Sequence, residues 1–304
     1  MRVLLAYDAS PGAETAAQLV EGITWPADSV IRIVAVIEPS ATLVPAMPLT
    51  MYRPTTSDEI DQVVSAHLKT EVEGLVRRLT AAGRTVEGTV LRGRPATVLA
   101  DEAQTFGADI LVVGSRGHST IATLVLGSVS AELVDHAPCP VLVARRAAAG
   151  RVLFASDGSP SAGRAEDLLA ASPIFEGAAV RVVSVAEVVH PWTAGIAPTL
   201  YREAMEAVAK DREAAKVEHR TIVDGVAERL RAAGRSADGT VRLGDAAAQI
   251  VEEAAAWQAD LVVMGSRGQT GLARLLLGSV ARNVLLGSDT STLIVRDRDE
   301  VPAA

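Results

Sequence analysis

Gly114, Gly117, Gly127 and Ser128 offer one clear kind of chemistry between them, the holding of an anion. They follow a short apolar run, Ile110 to Val113, that reads as a buried strand, and Ser128 opens a helix-like segment through Val134. Glycine lets a main chain come close to a ligand. A loop of this kind beside a helix N-terminus presents unpaired N–H groups, a place that suits a phosphate. The arrangement recurs as Gly265, Gly268, Gly278 and Ser279 after the run Leu261 to Met264. Gly114–Val134 aligned with Gly265–Leu285 is identical at 10 of 21 positions, so the chain is an internal duplication.

A second pair of features repeats with it. Asp8-Ala9-Ser10-Pro11 and Asp157-Gly158-Ser159-Pro160 each follow an apolar run. They read as turns whose serine caps a helix starting at the proline. On residue types alone, plainer readings stay open. The glycines serve tight turns, the aspartates start helices, Ser128 and Ser279 are N-caps, and Arg116 and Arg267 are solvated or neutralise phosphates. His118 becomes Gln269 in the other copy, which speaks against an essential catalytic role. His67, His136, His190 and His219 show no metal-ligand spacing with one another or with Cys139 and read as surface or core histidines. The pairs Asp101-Glu102 and Glu252-Glu253 read as solvated helix faces. The chain has no Gly-x4-Gly-Lys-Ser/Thr loop, no Gly-x-Gly-x-x-Gly fingerprint after the first strand and no Gly-x-Ser-x-Gly elbow. No catalytic residue is assigned.

These residues need elements to position them. In the first copy strands are expected at Arg2–Tyr7, Val30–Ile37, Thr85–Leu91, Ile110–Val113 and Val141–Ala144. Helices are expected from Pro11 to near Gly22, from Ser57 towards Gly83, over Ala96–Phe106, and from Ser128 to near Ala137. The second copy repeats this order through Val152–Ser156 and Val180–Ala186. Alternation of this kind implies an α/β fold, two tandem doubly wound domains, each an open five-stranded parallel sheet with helices on both faces. Ligands of such sheets sit beyond the carboxyl ends of the strands where strand order reverses, and Asp8 and Gly114 would share that edge. The boundary falls in the Arg145–Gly150 stretch, giving domains 1–147 and 148–304. The fifth strands would be sheet edges unless paired, and a pseudo-two-fold pairing of the two domains is the expectation. The offset between copies grows from 149 at Asp8/Asp157 to 151 at Gly93/Gly244. The two extra residues are expected in the irregular stretch from Val189 to Pro198.

Composition agrees. Apolar residues make up 49% and aromatics only 3%, so the core must be built from Val, Leu, Ile and Ala. A net charge of −8 argues against nucleic-acid binding through phosphate neutralisation. One cysteine, Cys139, rules out an intrachain disulfide and suits a reducing cytoplasm. No apolar run reaches membrane-spanning length, so no membrane partner is expected.

On the doubled Gly-x2-Gly-x9-Gly-Ser motif, the paired aspartate turns, the Gly93/Gly244 element and Pro140-Val141-Leu142-Val143, each half resembles the universal stress protein family. The whole chain resembles its tandem form. The resemblance implies the ATP-binding branch. It places Ala6 and Asp8 at the adenosine end, Val36 on adenine, and Val113, Gly114, Arg116 and Gly117 along the ribose and phosphates. Gly127, Ser128, Val129 and Ser130 would hold the phosphate tail. In the second half the matching residues are Ala155, Asp157, Val185, Met264, Gly265, Arg267, Gly268, Gly278, Ser279, Val280 and Ala281. Because Ser130 carries a hydroxyl and Ala281 does not, the second site is expected to bind ATP more weakly. The implied function is a cytoplasmic stress-response protein that binds ATP, with Mg²⁺ on the phosphates, and regulates a protein partner. A slow ATPase or phosphate-transferring switch is the alternative, and a homodimer is compatible with either. The connections Glu38–Thr56 and Val188–Thr199 are expected to order on binding.

Overall fold

The computed structural model describes residues 1–38, 57–117, 126–187, 198–268 and 277–296. They fall into two compact units, Met1–Ala147 and Ala148–Asp297. The expected connection Glu38–Thr56 and most of Val188–Thr199 lie outside the described residues, as do 118–125 and 269–276 in the middle of each glycine motif.

The first unit runs β1 (Arg2–Ala6), α1 (Pro11–Gly22), β2 (Val30–Ile37), α2 (Ser57–Ala81), β3 (Thr85–Arg92), α3 (Pro95–Phe106), β4 (Ile110–Gly114), α4 (Ser128–His136) and β5 (Val141–Ala144). Its strands are parallel in the order β3-β2-β1-β4-β5. The second unit runs β6 (Arg151–Ala155), α5 (Pro160–Ala171), β7 (Ala179–Ala186), α6 (Pro198–Ala232), β8 (Ser236–Leu243), α7 (Ala246–Ala256), β9 (Leu261–Gly265), α8 (Ser279–Gly287) and β10 (Ser291–Val295). Its order is β8-β7-β6-β9-β10, again parallel. The chain leaves β1 towards β2 and later returns to the other side of β1 as β4. The order therefore reverses between β1 and β4, and between β6 and β9, which opens a crevice at the carboxyl edge.

Strand burial follows position. The inner strands β4 and β9 are buried at every residue, while the outer strand β3 is largely exposed. Two glycines seat the long helices on these outer strands. A Cβ on Gly88 would lie 2.6 Å from Val72 of α2, and one on Gly239 would lie 2.1 Å from the equivalent Val223 of α6. The helix valine fills the space the missing Cβ leaves.

The stretch Val189–Pro198, where the two extra residues of the second copy are expected, lies almost wholly outside the described residues. The buried faces stay in register, Val72, Leu75 and Leu79 matching Val223, Val226 and Leu230. The added residues therefore lie upstream of the packed turns and rotate no core residue.

Glu102 and Glu253 are not on solvated faces. Arg32 of β2 pairs with Glu87 at 2.6 Å and with Glu102 at 2.6 Å, and its guanidinium lies 4.0 Å from the Phe106 ring centre. The second unit repeats this as Arg181 with Asp238 at 2.7 Å and Glu253 at 3.3 Å, over Trp257 at 4.9 Å. Glu253, 3% exposed, also takes Arg242. The one charged residue on an otherwise apolar strand thus has its partners on a neighbouring strand and the covering helix. Pro140 precedes β5, whereas its counterpart Ser291 has an N–H and starts β10 one residue earlier. Cys139, beside that proline, is 1% exposed. No helix among the described residues is long and apolar enough to cross a membrane.

Gly239→Ala should destabilise the second unit by about 1–3 kcal/mol through overpacking against Val223. Adding Val223→Ala should recover part of that loss in urea melts, where two independent sites would simply add.

Candidate functional site

The carboxyl edge of each sheet gathers the residues singled out by sequence. Ala6 and Ala155 end β1 and β6 and are buried. Val36 and Val185 are the half-buried penultimate residues of β2 and β7. Val113, Gly114, Met264 and Gly265 end β4 and β9.

The aspartate turns are built as expected. Ser10 N–H donates to Asp8 Oδ1 at 3.0 Å, and Ala13 N–H donates to Ser10 Oγ at 3.2 Å, which caps α1. Ser159 N–H to Asp157 Oδ1 is 3.0 Å, and Ala162 N–H to Ser159 Oγ is 3.2 Å. The turn needs a left-handed residue, which is Gly158 (φ +74°) in one unit and Ala9 (φ +60°) in the other.

Each glycine of the motif does a separate job. A Cβ on Gly114 would stand 2.4 Å from the carbonyl carbon of Gly12, and one on Gly265 would stand 2.6 Å from that of Ser161. This glycine lets the first turn of α1, or of α5, press on the strand end. A Cβ on Gly117 would stand 2.7 Å from Asp8 Oδ2, and one on Gly268 would stand 2.8 Å from Asp157 Oδ2. That glycine brings the loop onto the aspartate turn. Ser10 Oγ also reaches the Arg116 carbonyl at 3.3 Å, and Ser159 Oγ reaches that of Arg267 at 3.4 Å. Gly127 differs from the others. It has φ −70° and ψ 152°, open to any residue, and a Cβ there would meet only ordinary contacts of 3.5–3.7 Å. Among the described residues nothing demands glycine here, whereas a Cβ on Gly278 would lie tighter, 3.2 Å from the Ser266 carbonyl oxygen.

Gly127 and Gly278, not Ser128 and Ser279, are the N-caps of α4 and α8, and neither helix has a side-chain cap. The cap glycines bond back into the loop, Gly127 N–H to Ser115 O at 2.8 Å and Gly278 N–H to Ser266 O at 2.9 Å. The first intrahelical bonds are Ala131 N–H to Gly127 O and Arg282 N–H to Gly278 O. The N–H groups of Ser128, Val129 and Ser130, and of Ser279, Val280 and Ala281, therefore have no intrahelical acceptor. Three donors stand at the positive end of the helix, beside the loop.

The Ser130 hydroxyl has a partner within the protein. It donates to the Gly114 carbonyl at 2.6 Å and is buried. A hydroxyl has one proton, so its donor role is taken and only the Ser130 N–H remains for a ligand. The contrast with Ala281 is thus one of helix anchoring. Arg116 is exposed at the loop and Arg267 half-buried. His118 and Gln269 lie outside the described residues.

Four differences between the halves lie around the turns, and sequence gave none of them a role at the site, since each reads as ordinary core, surface or loop. Gly12 corresponds to Ser161, whose Oγ accepts the Arg267 N–H at 3.3 Å and lies 3.4 Å from Ser266 Oγ. Tyr7 corresponds to Ser156. Burial, with Glu14 and Glu71 nearby, raises the Tyr7 phenol above its ordinary pKa, so it stays neutral. Leu68 and Ala35 correspond to His219 and Ser184, which are hydrogen-bonded at 2.7 Å.

The chain matches the universal stress protein family model twice, over residues 1–145 and 149–296. It is 28% identical over 313 residues to a universal stress protein of Mycolicibacterium smegmatis, covering 96% of this chain and 98% of that one. A universal stress protein of Thermus aquaticus is 31% identical over 143 residues, 47% of this chain and 97% of its own length. Among solved structures, a universal stress protein from Archaeoglobus fulgidus superposes with a TM-score of 0.65 at 19% identity, covering 98% of each chain, a likeness of fold.

Ser130→Ala should lower the stability of the first unit by about 1 kcal/mol through loss of its bond to Gly114. Chemical denaturation against wild type measures this, and an unchanged midpoint would contradict the anchoring role.

Proposed function

We propose, from the premise that this chain belongs to the universal stress protein family, that each half holds one ATP and that occupancy is read by a regulatory protein partner in the cytoplasm. The observation that carries this is the pair of uncapped helix starts at Gly127 and Gly278. Three main-chain donors and a helix dipole meet a glycine loop there, at the switch point of the sheet.

The residues fit a triphosphate. Gly127 lacks a Cβ although its backbone and its described neighbours would accept one, which is compatible with a phosphate chain passing between loop and helix. Buried Ala6 and half-buried Val36 supply an apolar floor towards β2, with Asp8 between them and the loop. Among the described residues no group of three or more His, Cys, Asp or Glu could hold a metal. A Mg²⁺ would therefore arrive with the nucleotide and be held by phosphate oxygens and water. When bound, ATP supplies a polyanion for the loop to close upon. Binding would favour whichever arrangement of the protein makes the more contacts with ATP, which gives a partner a surface that differs with occupancy.

Calorimetry with ATP on the full chain should show two sites. Gly127→Ala should weaken the first by roughly tenfold or more, about 1.4 kcal/mol or more. It should cost no more than about 1 kcal/mol of stability, since alanine is a poorer N-cap than glycine but its Cβ makes only ordinary contacts with the described residues. Binding unchanged in this variant, or no nucleotide taken by wild type at millimolar concentration, would overturn the reading. ATP recovered intact from freshly purified protein would favour occupancy sensing, and ADP would favour turnover.

A further inference from the structure

The two halves differ most in chemistry where α6 crosses the end of β7. Ser184 is 1% exposed, and its Oγ lies 2.6 Å from the Ser156 carbonyl and 2.7 Å from His219 Nδ1. A carbonyl only accepts, so the single Ser184 proton goes to Ser156 O. His219 Nδ1 must then carry a proton and donate it to Ser184 Oγ. The tautomer is set by this pairing, and the ring's lone pair is left on Nε2. The ring is half-buried, and among the described residues Nε2 has no hydrogen-bond partner.

The place of this ring matters. Ser156 directly follows β6 and precedes Asp157, and its own Oγ takes the Gly158 N–H at 3.3 Å. Ile222, one turn after His219, would lie 3.3 Å from a Cβ on Gly158. That turn of α6 therefore roofs the aspartate turn of the second half at the carboxyl edge of the sheet. In the first half the same positions hold Leu68 and Ala35, both buried and apolar. A histidine and a serine in place of a leucine and an alanine put a fixed hydrogen-bond acceptor on one site's wall only.

We propose that His219 is a nucleoside-recognising side chain peculiar to the second half, accepting at Nε2 a hydrogen bond from a donor on the sugar or the base. Ser184 is its positioning residue. The inference rests on the reading that the second half holds a nucleoside triphosphate. The donors available on adenosine are the ribose hydroxyls and the 6-amino group, and each can be deleted separately.

The test uses the full chain carrying Gly127→Ala, so that calorimetry reports the second half. ATP, 2′-deoxy-ATP and inosine triphosphate are compared in the His219, H219L and H219Q forms. H219L should weaken ATP about five-fold, the worth of one hydrogen bond, and H219Q, which keeps an acceptor, should recover part of it. One analogue should reproduce the loss in the His219 form and cost nothing further in H219L. The deoxy analogue would assign the bond to the sugar, and the inosine analogue to the base. Nitrogen-15 spectra of the imidazole should show Nδ1 protonated without ligand and the Nε2 resonance moving on addition of ATP. Equal ATP affinity in His219 and H219L forms, or an Nε2 resonance unmoved by saturating ATP, would overturn the assignment while the nucleotide reading stands. If the second half takes no ATP at all, the nucleotide reading falls and this inference with it.

Discussion

The geometry at both edges depends on one close approach, that of the first turn of α1, or of α5, to the end of the neighbouring strand. Gly114 and Gly265 permit it by lacking a side chain, and nothing larger fits between backbone and backbone. Once that contact is made, the capping serine lies within reach of the loop carbonyl, and the loop falls against the aspartate turn. The helix that follows must then start beside this loop, with the cap glycine tied to Ser115 or Ser266. The row of unpaired N–H groups at each helix start beside the loop is thus a by-product of how tightly a helix packs on a sheet.

Much of this was legible before any coordinates. Strand and helix order could be read because inner parallel strands are uniform apolar runs and α1 and α5 start at Ser-Pro pairs, local signals with a direct physical cause. The edge to which Asp8 and Gly114 belong followed from topology alone. What each glycine was for could not be read. One residue type stands in three different settings here, helix packing at Gly114, a neighbouring carboxylate at Gly117 and ordinary contact with described residues at Gly127, and only the would-be Cβ separates them. Ser130 misled for a similar reason, since a hydroxyl at a helix start serves a ligand or a nearby carbonyl equally well. Glu102 and Glu253 misled because a helix period cannot reveal that an arginine stands on the strand beneath.

Duplication has left the two halves alike in frame and unlike in trim. The arginine plate survives complete, with Arg32, Glu87, Glu102 and Phe106 answering to Arg181, Asp238, Glu253 and Trp257. A partly buried cation is costly without its partners, so the set is held together as a unit. Around the crevice the pairs have diverged: Tyr7 with Ser156, Gly12 with Ser161, Leu68 with His219, Ala9 with Gly158. No shared penalty binds those positions, and each half has been free to acquire its own lining.

Cys139 gives the molecule an internal clock. It is the sole sulfhydryl of the chain and lies sealed at the entrance to β5. Alkylating reagents can reach it only when the first half opens, and they find nothing to modify in the second. The rate of thiol capture therefore times the breathing of one half alone, within a chain whose two folds share one frame.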